Sequence, residues 1–357
     1  MSAAAAPAPA EERPPPAPSH DNCFDLLRLL FAGCVVYGHS WLLGGFGPEP
    51  IAALAPDGVD FGFVGVLGFF CLSGHLVTVS YRRLDSPWRF LLQRARRILP
   101  GYWTCLAMTA FVAGPLLAAL EPAGPAFTAA GGLHYLLANA ALPIEEWHVA
   151  GHPAATPYTA SINGSLWTIW LEVRCYLGVL LLGATGLVGR RWVVLAMAAG
   201  MTVAHVVKTT GLGIEHLHGA FRYLYGTEFV VGFGVAMACT LEPRLVPRRG
   251  AVILALALVL AACWPLGVFR LLGPLLAPSL VLALARRTVV RLRDDLSYGT
   301  YLYAFALQQV LAALVWPRQH WLLYFLLSVA GALLLAFASW RLVERPFLAA
   351  GRSNRGA

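Results

Sequence analysis

Apolar stretches of roughly bilayer length, separated by short arginine-rich turns, recur along most of the chain, and few folds can satisfy that pattern. A helix rises ~1.5 Å per residue, so about 20 apolar residues are needed to cross ~30 Å of hydrocarbon. Taken in order, the stretches predict helices at about 24–43, 59–80, 100–120, 165–186, 192–207, 221–241, 250–267, 269–285, 295–315 and 320–340. Runs this long do not fit the short alternating strands of a membrane barrel. The predicted fold is all-α: a polytopic integral membrane helical bundle of about ten transmembrane helices. Of the 357 residues 58% are hydrophobic and only 12% charged, half the ~25% charged share of a soluble domain. Mean hydropathy is +0.66.

The basic residues set the orientation. With both termini inside (N-in/C-in), 21 of the 26 Lys and Arg residues fall on the cytoplasmic side and four on the outer side, while Arg174 lies within a span. Such asymmetry is the positive-inside pattern. The net charge of +8 resides in these inter-helix turns and not on one soluble face, which argues against a nucleic-acid partner. Residues 1–20 are Ala/Pro-rich without an apolar core, and are expected to form a disordered cytoplasmic tail and not a signal peptide. The bundle is expected over 21–347 and a short cytoplasmic tail over 348–357. All seven cysteines sit in or beside apolar segments with no paired spacing. They read as small hydrophobes, with no disulfide framework and no metal site.

The first helix, FDLLRLLFAGCVVYGHS, carries Asp25 and Arg28 at its start and His39 near its exit. Intramembrane charge is costly, about 2.5–3.5 kcal/mol for Arg at mid-bilayer, and is tolerated mainly along polar cavities. Eleven steps of about 100° put Arg28 and His39 within about 20° of one face, and about 16 Å apart along the axis. Two readings are open: a polar lumen, or an interfacial Arg that snorkels and a His at the far headgroup level.

After the second helix, with its small residues Gly65, Gly68, Ser73 and Gly74 suited to close packing, comes YRRLDSPWRFLLQRARRILP. Arg94 and Arg97 share a face if the third helix extends back from Pro100, which is otherwise suited to its first turn. Arginine pairs suit phosphate, although topology or anionic-lipid contact explains the same cluster. In the helix SLWTIWLEVRCYLG, Glu172 needs a partner, for which Arg28 or His39 on the first helix are the candidates, either for chemistry or as a structural ion pair. Arg174 lies about 200° round that helix. In DDLSYGTYLYAFALQQ, the residues Tyr298, Tyr301, Gln308 and Gln309 either line a lumen or belong to an interfacial belt. His75, His205 and Glu228 read as packing residues. Segment 121–164 is the longest interruption, with only LHYLLANAALPI apolar and too short to span.

The pattern as a whole resembles the bacterial acyltransferase-3 family of membrane O-acyltransferases. The resemblance runs from Phe24 to Phe347 and rests on six motifs in order. They are Arg28 with His39 after ten intervening residues, FFCLSGHL (69–76), RARRILPGYW (94–103), SLWTIWLEVRCYL (165–177), LSYGTYLY (296–303) and VERPF (343–347). Two positions depart from the family pattern: Ala304 where His is common, and His75 where Phe is usual. Many members also append a soluble hydrolase-like domain, and the expectation here is a chain without one.

The resemblance implies an enzyme that moves an acyl group, usually acetyl, from cytoplasmic acyl-CoA to a hydroxyl of an extracytoplasmic glycan such as exopolysaccharide or O-antigen. It implies a bacterial cytoplasmic (inner) membrane location and a carbohydrate acceptor, free or lipid-linked. Acetyl-CoA is then a donor substrate, and no cofactor is permanently bound. Arg28, Arg94 and Arg97 are the candidates for holding the donor, and His39 and Glu172 are the catalytic candidates, with His39 as general base. The competing classes are a transporter or flippase of a lipid-linked saccharide, in which the buried charges mark a substrate path, and a non-catalytic membrane scaffold.

Overall fold

The computed structural model describes residues 23–84, 86–210, 226–287, 290, 292–314 and 317–353. Every predicted span has a helix: α1 (Phe24–Gly44), α2 (Phe61–Leu84), α3 (Pro87–Met108) with α4 (Gly114–Leu120), α6 (Trp167–Ala184), α7 (Arg191–Thr210), α8 (Thr227–Leu241), α9 (Gly250–Cys263), α10 (Phe269–Ala285), α11 (Ser297–Ala313) and α12 (Trp321–Ser339). Two short helices complete the set, α5 (Ala129–Asn139) in the long loop and α13 (Arg345–Ser353) at the end. Among the described residues there is no strand, only an isolated bridge between Val149 and His152. The predicted tail 1–20 and the start of the sixth predicted helix lie outside the described residues. Of the predicted tail 348–357, the described part continues α13.

Six helical segments are long and apolar enough to cross a membrane: Phe24–Gly44, Phe61–Leu84, Pro87–Leu120, Gly164–Ala184, Arg191–Thr210 and Trp321–Ala349. The chain is a multi-pass membrane protein. Helices α8, α9 and α10 are shorter but apolar. Helix α11 is different in kind. Twelve of its residues are buried, including Gln308 and Gln309, because it packs against α1 and α12 in the middle of the bundle. A helix enclosed by protein can carry amides that lipid would not tolerate.

The third span corrects the sequence reading. It starts thirteen residues before Pro100, with Ser86 capping through its Oγ the backbone N–H of Arg89 (3.4 Å) and Pro87 in the first turn. The arginine segment is therefore helical and Pro100 lies inside the helix. Charge had marked it as a loop, but Phe90 and Ile98 are buried and tie the segment to the bundle. A π-helical turn, Thr109–Ala113, joins α3 to α4, and another, Trp340–Glu344, joins α12 to α13. Small residues set the close contacts of α2: a Cβ on Gly65 would lie 2.5 Å from the Phe31 carbonyl of α1.

Candidate active site

Two helices, α1 and α3, bring their cations to one end of the bundle. Asp295, just before α11, is shared: Arg97 Nη2 donates to its Oδ2 at 2.5 Å, and Arg28 Nη1 lies 3.6 Å from the same oxygen. Arg28 also pairs with Asp25 at 3.3 Å, one turn before it on α1. Glu344, 2% exposed, approaches Arg97 at 3.9 Å. Its direction depends on the π-helical turn, since one residue inserted into an α-helix rotates everything beyond it by about 100°. Arg94 is placed otherwise. Its guanidinium lies over the rings of Phe90 (6.0 Å) and Tyr176 (5.8 Å) and donates only to Ser80 Oγ, at 3.5 Å. Its Nε is buried with no partner, and no carboxylate reaches it among the described residues.

These arginines line a narrow cavity of about 70 Å³ whose wall also includes Glu172, Tyr298 and Tyr301. A more open groove of about 300 Å³ shares Arg28, Leu76 and Arg94 with it and extends past Arg83 and Gln93. Glu172 does not pair with α1, as its sequence position suggests. It accepts from Ser73 Oγ on α2 (2.8 Å) and from the Tyr176 hydroxyl one turn along α6. The reason is packing: α6 lies against α2, so the carboxylate meets the hydroxyl of the Ser-Gly motif first. Arg174 is exposed on the far side. Tyr301 closes the inner wall, donating to the Ser165 carbonyl (2.9 Å) and sharing a 2.5 Å hydrogen bond with Thr168 Oγ1.

His39 is not in the arginine cavity. Its ring meets the edge of Phe305 at 4.9 Å, and Phe305 lies ten residues beyond Asp295, about 15 Å along α11 by helical rise. From Arg28 to His39 along α1 the rise is about 16 Å, so the two helices agree on the separation. Around Phe305 the buried polar groups lack partners. Six of the thirteen unpartnered buried polar atoms among the described residues belong to His39, Ser161, Asn163, Ser165, Gln308 and Gln309. Each such atom costs about 1–3 kcal/mol, which makes their concentration in one layer informative. Both Gln308 and Gln309 are enclosed: Gln308 donates to the Val36 carbonyl (3.0 Å), and Gln309 to the carbonyls of Tyr158 (2.8 Å) and Ser161 (2.7 Å). Tyr298 and Tyr301 thus line the cavity and the two glutamines do not.

The family comparison decides among the functional classes. An acyltransferase-domain family matches residues 21–341. The chain belongs to the acyltransferase-3 family. It is similar to the O-acetyl transferase of Shigella phage Sf6, 30% identical over 346 residues that cover 92% of this chain and 96% of the relative. It is 29% identical to nodulation protein 10 of Rhizobium leguminosarum bv. viciae over 92% of this chain and 93% of that one. It is also 29% identical to the exopolysaccharide production protein ExoZ of Rhizobium meliloti (strain 1021), over 82% and 92% respectively. No solved structure matches.

As an acyltransferase, the chain is an enzyme, and the transporter and scaffold classes give way. Its departures from the family pattern lie away from the arginine cavity. Ala304 is 1% exposed and packs with Val36 and Ala332. His75 stacks on Phe24 (5.4 Å) and shares a 2.9 Å hydrogen bond with Thr240 Oγ1, in the α2–α8 contact. His205 contacts the Arg270 carbonyl and Glu228 pairs with Arg270 at 3.0 Å, so each of the three has a partner outside the arginine cavity. Sequence reasoning placed none of Asp295, Glu344, Ser73 and Tyr176 in the site, and read Ser73 only as a small packing residue. The paired acids before LSYG and the glutamate of VERPF were the available signals.

Proposed function

We propose that this acyltransferase moves an acetyl group from acetyl-CoA, entering from the cytoplasm, to a hydroxyl of an extracytoplasmic glycan. The observation that carries the reading is Arg94: a guanidinium with no carboxylate in ion-pair contact among the described residues, at the junction of an enclosed cavity and an open groove. CoA phosphates are anions that a free guanidinium binds through charge-assisted hydrogen bonds. Arg28 and Arg97 add positive field, but their N–H groups already meet Asp25, Asp295 and Glu344. Arginine excess at this end of the helices supports a cytoplasmic orientation in the inner membrane. The O-acetyl transferase and exopolysaccharide production relatives support an acetyl donor and a polysaccharide acceptor.

With the nucleotide at Arg94, the pantetheine arm runs up the cavity between Glu172 and Tyr298 toward Tyr301. The base is His39, which lies at Phe305, one helical turn beyond Tyr301, so the acyl end of the arm has to pass the Tyr301 wall to reach it. Its imidazole takes the proton of the acceptor hydroxyl, the oxygen attacks the thioester carbonyl carbon, and the carbon–sulfur bond breaks. An ester forms on the sugar, and the proton leaves His39 for the CoA thiolate. Glu172, fixed by Ser73 and Tyr176, keeps the cavity wall polar and in register.

The test is direct. Purified protein in lipid nanodiscs receives [¹⁴C]acetyl-CoA and O-deacetylated surface polysaccharide. The expected result is an alkali-labile acetyl ester on the polysaccharide, with one CoA released per ester. Polysaccharide that never becomes labelled while acetyl-CoA stays intact overturns the reading.

A further inference from the structure

The layer around Phe305 holds polar atoms that the transfer chemistry alone does not use. Gln309 is fully buried, and its orientation is fixed by chemistry: two carbonyls face its amide, so the nitrogen must point at them. The Oε1 of Gln309 is therefore an acceptor left without a donor. Ser161, 2% exposed, has its carbonyl held by this same glutamine and its own hydroxyl unpartnered. Gly164 lets this segment pack closely against the ring. A Cβ there would lie 2.8 Å from the Phe305 ring and 3.0 Å from Ser161 Oγ. Across the ring, His39 meets Phe305 with its Nδ1 also buried and unpartnered.

We infer that Ser161 Oγ and Gln309 Oε1 form a subsite for a second hydroxyl of a neutral, polyhydroxylated acceptor, adjacent to the hydroxyl that His39 deprotonates. This rests on the acceptor half of the proposed function. The donor–acceptor pattern selects the ligand: an amide oxygen needs a hydrogen-bond donor, and a serine hydroxyl can give or accept, which together suit an alcohol. No charged side chain is among the layer's unpartnered groups, so the subsite suits an uncharged hydroxyl and not a carboxylate or phosphate. The six unpartnered atoms come from two segments, 161–165 and 308–309, and from α1, so a ligand there is held from three sides.

The experiment uses the full chain in nanodiscs, [¹⁴C]acetyl-CoA, and methyl α-glucoside, α-galactoside and α-rhamnoside with their monodeoxy derivatives as probe acceptors. Ser161→Ala removes an oxygen that no protein group contacts, so folding is preserved. The expected result is about a tenfold rise in acceptor KM, the loss of roughly one hydrogen bond, with acetyl-CoA KM unchanged. One monodeoxy sugar should show the same loss with the wild type and none further with the variant. Gly164→Ala, which crowds Ser161 Oγ and the Phe305 ring, should raise acceptor KM in the same direction. An unchanged acceptor KM in both variants overturns the subsite. If acetyl-CoA binds but no glycoside is labelled, the hydroxyl subsite fails while the donor half of the proposed function stands. If acetyl-CoA does not bind, the proposed function fails and the subsite with it.

Discussion

Arg28, Arg97 and Asp295 at one end of the α1–α11 pair, and His39, Gln308 and Gln309 at the other, are polar groups satisfied in opposite ways. At the first end charge meets charge: a single carboxylate serves two guanidiniums, and Glu344 backs one of them. Arg94 is the exception, held by rings and a serine alone. At the second end the groups are uncharged in form, and six of their atoms have no partner. Fixed cations recognise anions at long range, whereas unpartnered hydroxyls and amides recognise a neutral alcohol only by contact. The contrast fits an enzyme with a phosphorylated donor at one end and a sugar at the other.

The largest test of that contrast is His39→Ala. Removing a general base lowers transfer by about 10²–10⁴-fold, and acetyl-CoA binding at the other end should be unchanged, as read by equilibrium binding of labelled donor. Loss of donor binding together with transfer would merge the two ends into one site.

The next effect separates two arginines of the same motif. Arg94→Ala removes charge-assisted hydrogen bonds worth about 1.5–3 kcal/mol and should raise the KM for acetyl-CoA by about 10–150-fold without lowering thermal stability. Arg97→Ala leaves Glu344 without its cation and Asp295 with Arg28 alone, and breaking such a pair costs about 3–5 kcal/mol, so the melting temperature in detergent should fall. If both substitutions act on KM alone, Arg97 is a ligand of the donor and not part of the frame.

The smallest effect concerns a carboxyl enclosed in the loop beyond His39. Glu49, in the loop between α1 and α2, is 4% exposed and accepts the Phe61 backbone N–H at 2.9 Å. Burial raises its pKa from 4.5 to about 6, against the lowering effect of that hydrogen bond. The folded state therefore holds the proton more tightly than the unfolded chain between pH 4.5 and 6. Stability from this group is full below that window, declines as pH rises through it by at most about 2 kcal/mol, and is flat above. Glu49→Gln should remove the decline, seen as a flatter melting temperature between pH 4.5 and 6.5. Equal slopes in both proteins would mean that Glu49 is charged throughout.

Much of this was legible in the sequence. Apolar runs located a helix for each of the ten predicted spans, though not α13, and helical spacing put Arg28 and His39 on one face at the separation that α11 reproduces independently. The partners were harder to read. Periodicity reports which face of its own helix a residue occupies, not which neighbour lies opposite, so Glu172 was matched to α1 when Ser73 of α2 was the nearer group. The start of α3 was misplaced for another reason. Arginines normally mark solvated loops, and six of them outweighed the Ser86–Pro87 start signal and the buried Phe90. The layer at Ser161 was invisible, because it exists only where a loop folds back onto Gln309.

Asp295 carries one more consequence. Because Arg28 and Arg97 already share it, the protein's own carboxylate holds those two guanidiniums in place. A phosphate entering beside Arg94 then meets two cations already positioned. It joins an existing charge lattice whose members shift by exchanging neighbours. Donor entry should then be governed by long-range attraction and ionic strength more than by rearrangement of the protein.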